Sequence, residues 1–342
     1  MVESGKGNSS QLRAASKPKL TVLVGDVGGT KTLLALAQLE AERGLHLLPD
    51  AMARFPSAAY ADLVPLVQAF LRDLPQPYPR WACFGVPGPV LAGHCRTTNL
   101  PWELSAEKLA LALGLEQVLL LNDVAALAWA FAGSPPALEI LREGTRLAEG
   151  PVLVVSVGTG LGAATLVPLG ASFAVLPSEA GHCDFAGKTQ EDIELMAALG
   201  ESFGHVSYER VVSGPGLAAL YRFFARSEGE PPSPEEVLTR TATDPAARQA
   251  ALALARHLGS FVGNAALLTL PWGGVVLAGS VACALFAAGG QEAFQQAFFA
   301  AMEDKGRQRQ LLARLPVALL TDPAAPLLGC ARALQRCVLA GS

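Results

Sequence analysis

The chain has 342 residues, 51% of them apolar and 16% charged, enough for two domains with sizeable cores. Lys and Arg total 26 against 30 Asp and Glu, with no long basic run, which argues against a nucleic-acid partner. Residues 1–19 carry Ser, Gly, Lys and Gln without a hydrophobic stretch, and read as a disordered tail rather than a signal or transit peptide.

The first ordered elements fall in Thr21–Ala37, an apolar run broken by Gly28-Gly-Thr30, which reads as strand, turn, strand. A helix follows over Tyr60–Leu71, opening near Ser57 and closing before the Pro75-Gln-Pro-Tyr-Pro loop. Trp81–Val86 is a short buried strand stopped by Pro87-Gly-Pro89, with Val90–Arg96 returning as its hairpin mate. Ser105 caps a helix through Leu113. Val118–Leu121 is a strand leading through Asn122-Asp123 into an Ala-rich helix ending at Phe131, and Gly133-Ser-Pro-Pro marks a boundary between two lobes.

The second half begins with another strand pair over Val152–Val167. Glu228–Pro234 is a surface loop, and Pro245–Leu270 is a long helix or a helix pair. From Leu258 to Gln291 there is no Asp, Glu, Lys or Arg, a length able to cross a bilayer. Interruption by Asn264, Pro271, Gly273, Gly274 and Gly279 favours a buried helix, a strand at Gly274–Ala278 and a helix over Val281–Ala288 instead. Leu327–Leu339 is helical and is expected to pack back on the first lobe. Strand pairs followed by alternating strands and helices indicate an α/β architecture with mixed sheets.

The most informative pattern is internal. The turn in Val27-Gly-Gly-Thr-Lys31 is echoed about 130 residues later by Val157-Gly-Thr-Gly-Leu-Gly162, each between two apolar runs. Glycine is expected there to supply positive φ, and such a turn aims backbone N–H groups and a hydroxyl at one point, which suits a phosphate. Two copies suggest two lobes closing on a polyphosphate.

Asp26 ends a strand directly before the first turn, where a carboxylate holds a magnesium-bound water or simply starts the turn. Asn122 and Asp123 end a strand and open a helix, the position at which open α/β sheets keep their chemistry, although either residue also serves as a helix cap. With a phosphate turn on each lobe, Asp123 becomes the leading general base for an attacking hydroxyl. Glu179 and His182 pair a carboxylate with an imidazole, suited to sugar hydroxyls. On composition alone they read as a solvated loop glutamate and a structural histidine, and Glu209 as an exposed helix residue. Asn99 binds substrate or caps the turn before Pro101. No two histidines have metal-ligand spacing, and His46, His205 and His257 take no role. Six scattered cysteines without a Cys-x-x-Cys pattern read as buried free thiols in a reducing cytoplasm.

Together these residues resemble the bacterial glucokinase family, within the hexokinase–actin–heat-shock ATPase superfamily, from about Leu20 to the end of the chain. The resemblance rests on Gly25-Asp-Val-Gly-Gly-Thr30, Leu121-Asn-Asp-Val124, Gly158-Thr-Gly-Leu-Gly162 and Glu179-Ala-Gly-His182. It rests also on Glu209-Arg-Val-Val-Ser-Gly-Pro-Gly216, Gly274-Val-Val-Leu-Ala-Gly279 and Glu303-Asp-Lys-Gly-Arg307, in that order.

The resemblance implies two lobes of the actin-like ATPase type on ribonuclease-H-like sheets, with the active-site cleft between them. It divides the chain into a small lobe over residues 20–132, joined by a terminal helix over 324–342, and a large lobe over 133–323. It implies an ATP:hexose 6-phosphotransferase that makes glucose 6-phosphate for glycolysis. Asp123 takes the proton from glucose O6, and Asn99, Asn122, Glu179, His182 and Glu209 bind the other hydroxyls. Asp26 with Gly28, Gly29, Thr30 and Lys31 faces ATP and Mg²⁺, the metal through water. Gly158, Thr159 and Gly160 face the phosphates from the other lobe, and Gly279 lies near the adenosine.

Lys31 stands where many relatives carry Asn, and Ser178, Ala180 and Ser280 stand at frequent glycine positions; none removes a catalytic group. A kinase for mannose, fructose or an N-acetylated amino sugar is the nearest rival. A non-enzymatic actin-like switch is the rival from another class, disfavoured because a switch has no use for a hydroxyl-binding pocket. A cytoplasmic homodimer without membrane or nucleic-acid partners is expected.

Overall fold

The computed structural model describes residues 19–40, 44–74, 78–226, 229–286 and 292–340. The expected tail, most of the Pro75–Pro79 loop and Glu228 therefore lie wholly or partly outside the described residues. In chain order the first part runs β1 (Leu20–Val27), β2 (Lys31–Glu40), β3 (Gly44–Pro56), α1 (Leu63–Arg72) and β4 (Trp81–Val86). It continues with β5 (Val90–Leu91), β6 (His94–Arg96), β7 (Glu103–Ser105), α2 (Ala106–Leu113), β8 (Gln117–Asn122) and α3 (Asp123–Trp129). The second part runs β9 (Leu138–Arg142), β10 (Val152–Val157), β11 (Leu161–Leu169), β12 (Ser172–Ser178), α4 (Gln190–Phe203), α5 (Tyr208–Val211) and α6 (Gly214–Ala225). Then come α7 (Pro234–Thr239), α8 (Pro245–Thr269), β13 (Gly274–Ala278), α9 (Ser280–Phe286), α10 (Glu292–Glu303), α11 (Arg309–Leu312), β14 (Val317–Leu320) and α12 (Ala325–Ala340).

The sequence echo is an echo of topology. One sheet has the order β3-β2-β1-β4-β8, and the other the order β12-β11-β10-β13-β14-β9. In each, an antiparallel meander of three strands is extended by two parallel strands beside its first strand. Parallel neighbours must be buried on both faces, which explains why β4 and β13 read as unbroken apolar runs. The shared order aligns the carboxyl ends of β1, β4 and β8 on one edge, with Asp26 beside Gly85 and Asn122 beside Val86.

Several elements differ from expectation. Val90–Arg96 does not pair with β4; β5 and β6 join β7 in a separate three-stranded sheet. The Pro87-Gly-Pro89 break redirects the chain before pairing can begin, with Gly88 at φ 128°. The first helix starts at Leu63 rather than Tyr60, because the Asp62 carboxylate accepts the Val64 N–H at 2.6 Å and fixes its first turn. Residues 245–269 form one helix, ended by Leu270 in the left-handed region at φ 45°. It is long and apolar enough to cross a bilayer, yet 72% of that window is buried inside the protein, packed on α10 and α6. The next predicted helix ends at Phe286 within the described residues, and Ala287 and Ala288 lie outside them.

The last helix returns to the first sheet, as the terminal apolar pattern suggested. Leu327, Cys330, Ala331 and Leu334 of α12 share a core with Val22, Val24, Ala35 and Ala37. The Cys330 thiol donates to the Gly25 carbonyl at 3.5 Å, and Gly329 crosses α3 where a Cβ would strike the Ala126 carbonyl. Helices α3 and α12 thus connect the two sheets behind the cleft.

Candidate active site

Both glycine turns close antiparallel pairs, in register Val27↔Thr32 and Val157↔Leu161. Their glycines are not there for positive φ: Gly28, Gly29, Gly158 and Gly160 all lie outside that region. This corrects the expectation, and three of the four are explained by close approach. A Cβ at Gly28 would lie 2.8 Å from the Lys31 carbonyl, at Gly29 2.7 Å from Asn99 Cβ, and at Gly160 2.6 Å from Glu209 Oε2. At Gly158 a Cβ would meet only Ser280 Oγ, at 3.8 Å, so the space beside it belongs to the cleft.

That cleft has a volume of about 420 Å³, within the range of small-molecule sites. Gly28, Gly29, Gly158, Thr159 and Gly160 line it, together with Asn99, Asn122, Asp123, Glu179, His182 and Glu209. All the residues expected at the sugar therefore border one space with both turns. A second cavity of about 410 Å³ holds Asp26 and Gly279 with Asp123, Gly28 and Ser156. Thr30 and Lys31 line neither cavity, and both are solvent-exposed. The reason is local: Gly28 N–H donates to the Lys31 carbonyl and Ser57 N–H to the Thr30 carbonyl, which tucks the backbone down.

Asn122 is a helix cap as well as a wall. Its Oδ1 accepts Val124 N–H at 3.0 Å and Ala125 N–H at 3.1 Å, while Nδ2 donates to the Gly88 carbonyl at 3.3 Å. One amide hydrogen is left over for a ligand. Asp123 Oδ1 accepts Val124 N–H at 2.9 Å. Burial raises the Asp123 carboxyl to about 6, against the lowering by backbone N–H donors and with a further rise from Glu179. Burial, then the charge of Asp123, raises Asp26 to about 7. Two carboxyls poised near neutrality at the ends of parallel strands mark a functional site.

On the far wall the His182 Nε2 lies 3.9 Å from Glu179 Oε2, and both side chains are exposed to the cleft. The Ser178 hydroxyl donates to the Ala163 carbonyl at 2.8 Å, tying this loop to β11. Glu209 Oε2 accepts Leu161 N–H at 2.9 Å across 48 residues. Gly214 N–H donates to the Gly158 carbonyl at 2.8 Å, so the start of α6 holds the same turn.

A family model described as Glucokinase matches residues 23–337. The chain belongs to the glucokinase family. The glucokinase of Nostoc punctiforme is 34% identical to it, over 92% of this chain and 99% of that one. A glucokinase crystal structure from an Antarctic psychrotroph is 30% identical with a TM-score of 0.76, over 92% of this chain and 99% of the other. The glucokinase of Balamuthia mandrillaris, solved in complex with glucose, has a TM-score of 0.78 at 21% identity, over 94% and 95%, and shares the fold. The actin-like ATPase fold of the glucokinase and sugar-kinase neighbours is the fold of this chain.

The donor set suits a glucokinase's nucleotide. The open space beside Gly158 is a cradle that a Cβ would fill, and the adjoining turn backbone offers N–H groups to phosphate. Among the described residues no group of three or more His, Cys, Asp or Glu side chains forms a metal cage. Magnesium takes one or two carboxylates together with water and substrate phosphates. Asp26, which shares its cavity with Gly28, Asp123 and Asp322, would supply such a carboxylate.

Gly88, Thr98, Ser156 and Asp322 are among the wall residues to which the sequence assigned no role. Ser156 and Asp322 had a signal, since they lie at the ends of β10 and β14, on the edge of the second sheet that corresponds to the one where β1 and β8 carry Asp26 and Asn122. Thr98 had one too, in the polar run Thr97-Thr-Asn99, whereas Gly88 had none, because the Val90–Arg96 segment after it was read as a hairpin on β4. Of the six cysteines expected to be buried, Cys83, Cys95 and Cys330 are, whereas Cys283 and Cys337 are half-buried and Cys183 is exposed beside His182.

Proposed function

We propose that this chain transfers the terminal phosphoryl group of ATP to O6 of glucose, with Asp123 as the general base. ATP-dependent glucose phosphorylation is the activity of the family to which it belongs. The observation that carries the division of labour is one cleft bordered by Asp123, both glycine turns and the Glu179, His182 and Glu209 wall.

Asn99, Asn122, Glu179, His182 and Glu209 hold the remaining hydroxyls, carboxylates accepting and amides donating. The turn at Gly28-Gly29 and the turn at Gly158-Thr-Gly160 take the phosphates from opposite sides. Asp26 would hold Mg²⁺, and the ion, when bound with ATP, would supply neutralisation of phosphate charge. Phosphoryl transfer proceeds through a loose transition state, so positioning supplies most of the acceleration. Asp123 orients the hydroxyl and accepts its proton late. A carboxyl near 6 is ionised at neutral pH while remaining basic enough for that task.

We assign residues 20–132 and the α12 region to a small lobe and 133–323 to a large one, closing on the substrates and excluding water. The shared core of α12 with β1 and β2 supports that division. The protein is placed in the cytoplasm as a homodimer feeding glycolysis, and three buried free thiols support a reducing compartment. A coupled assay over glucose, mannose, fructose and N-acetylglucosamine tests the function. Glucose is expected to give the highest kcat/KM, and preference for another sugar would overturn the assignment.

A further inference from the structure

A third cavity, of about 400 Å³, opens off the sugar end of the cleft and takes no part in the proposed reaction. It shares Asn122, Ser178 and Glu179 with the cleft. Beyond that mouth its wall is apolar throughout, formed chiefly by Val90, Leu121 and Ala125 from the first half of the chain with Trp129 and, from β12, Val175 and Pro177. Trp129 is 8% exposed, and the Arg336 guanidinium lies 5.5 Å from its ring centre, bracing the indole.

The polar groups at the mouth are already engaged. The Asn122 oxygen caps α3 and its nitrogen donates to the Gly88 carbonyl, while the Ser178 hydroxyl donates to the Ala163 carbonyl. The Glu179 carboxylate, which faces both spaces, and one Asn122 amide hydrogen are what the mouth keeps in reserve. Beyond the mouth a hydroxyl or phosphate would lose water and meet only apolar side chains, whereas an apolar group would gain the burial. Size is no obstacle, since an engineered cavity of about 150 Å³ already holds benzene.

We propose that this chamber is a subsite for an apolar substituent carried by the sugar, so that the protein binds aryl-substituted glucose derivatives more tightly than their methyl counterparts. The inference rests on the assignment of the cleft to glucose, because continuity through Asn122 and Glu179 is what joins the substituent to the ring.

The test is calorimetric binding to the nucleotide-free protein with three matched pairs: methyl and phenyl glucoside, N-acetyl- and N-benzoylglucosamine, and 3-O-methyl- and 3-O-benzylglucose. At least one aryl member is expected to bind tenfold or more tightly than its partner. Val175→Phe, which fills the chamber, is expected to erase that advantage while leaving the affinity for glucose within twofold. Val175→Thr, close in shape but polar, is the safeguard should the larger residue disturb β12, and is expected to cut the advantage severalfold. If no aryl member gains, or if the gain survives both substitutions, the subsite is refuted. Glucose turnover measured alongside separates the two readings: phosphorylation of glucose without any aryl gain removes the subsite alone. Absence of glucose binding and turnover removes the glucose assignment, and an aryl gain persisting there keeps the chamber as an aryl-sugar site.

Discussion

The two glycine turns share a sequence pattern and a hairpin geometry, but the protein supports them by different chemistry. The first is held by neutral groups: the Ser57 hydroxyl donates to the Gly28 carbonyl at 2.7 Å and is paired with Thr32 Oγ1 at 2.9 Å, both side chains buried. The second leans on a charge, the Glu209 carboxylate on Leu161 N–H. On the proposed assignment Glu209 is also a wall of the sugar end, so a hydrogen bond ties the second turn to both substrates. The first touches the sugar side only through the packing of Gly29 on Asn99. A hydrogen bond to an ionised partner contributes about 1.5–3 kcal/mol against about 1 for a neutral one, so the second support is also the stronger.

The comparison breaks most completely at Asp123, which both turns need. Asp123→Ala is expected to lower kcat by about 10²–10⁴-fold while calorimetry still detects glucose binding. Near-normal kcat in that variant would remove Asp123 as the base.

The next largest effect sets Gly160 against Gly158. Gly160→Ala drives a Cβ into Glu209 Oε2, and steady-state kinetics should show the KM of glucose and of ATP rising together, the former by about tenfold, the cost of roughly 1.4 kcal/mol. Gly158→Ala has room within the protein, so its melting temperature should stay near the parent's while only the KM of ATP rises. A silent Gly158→Ala would show that the nucleotide does not approach this turn.

Ser57→Ala weakens the first turn by about 1 kcal/mol and leaves the buried Thr32 hydroxyl without its partner. The ATP KM should rise several-fold with the glucose KM unchanged. Equal changes in both would erase the asymmetry between the turns.

Two pH effects are smaller. With Asp123 raised to about 6, log kcat/KM should fall by one per pH unit below that value, as the base is protonated. For stability the sign runs opposite to the usual carboxylate. Asp26 titrates near 7 when folded against 3.8 unfolded, so the native state holds the extra proton between those values and loses stability as pH rises through them. Asp26→Asn should therefore stabilise the protein above pH 7, with the gain fading as pH falls toward 4 in denaturant titrations. A gain that grows on acidification would contradict the raised carboxyl.

Much of the site was legible in the chain because its parts sit at strand ends. Asp26, Asn122 and Asp123 follow apolar runs, and a sheet with parallel strands gathers such ends on one edge. The reason for the glycines was not legible. Local chemistry suggested positive φ, whereas Gly29 and Gly160 are small because Asn99 and Glu209, distant in the chain, press against them. The pairing of Val90–Arg96 failed for a like cause: three residues of β7, beyond the Pro101 turn, competed successfully for β6. Thr30 and Lys31 belong to the turn motif by position, yet backbone bonds to Ser57 and Gly28 keep them out of the cavities.

The sequence by itself determined the doubled hairpin, the mixed α/β character and the candidacy of Asp26 and Asp123, because each is written in short-range periodicity and in the residues that end it. Tertiary structure alone decided that Glu209 braces a turn 48 residues away, that Asn99 packs against Gly29, and that an apolar chamber adjoins the sugar wall. Those outcomes come from surfaces meeting across the fold, and a contact's energy depends on which partner arrives, information that no local stretch of chain contains.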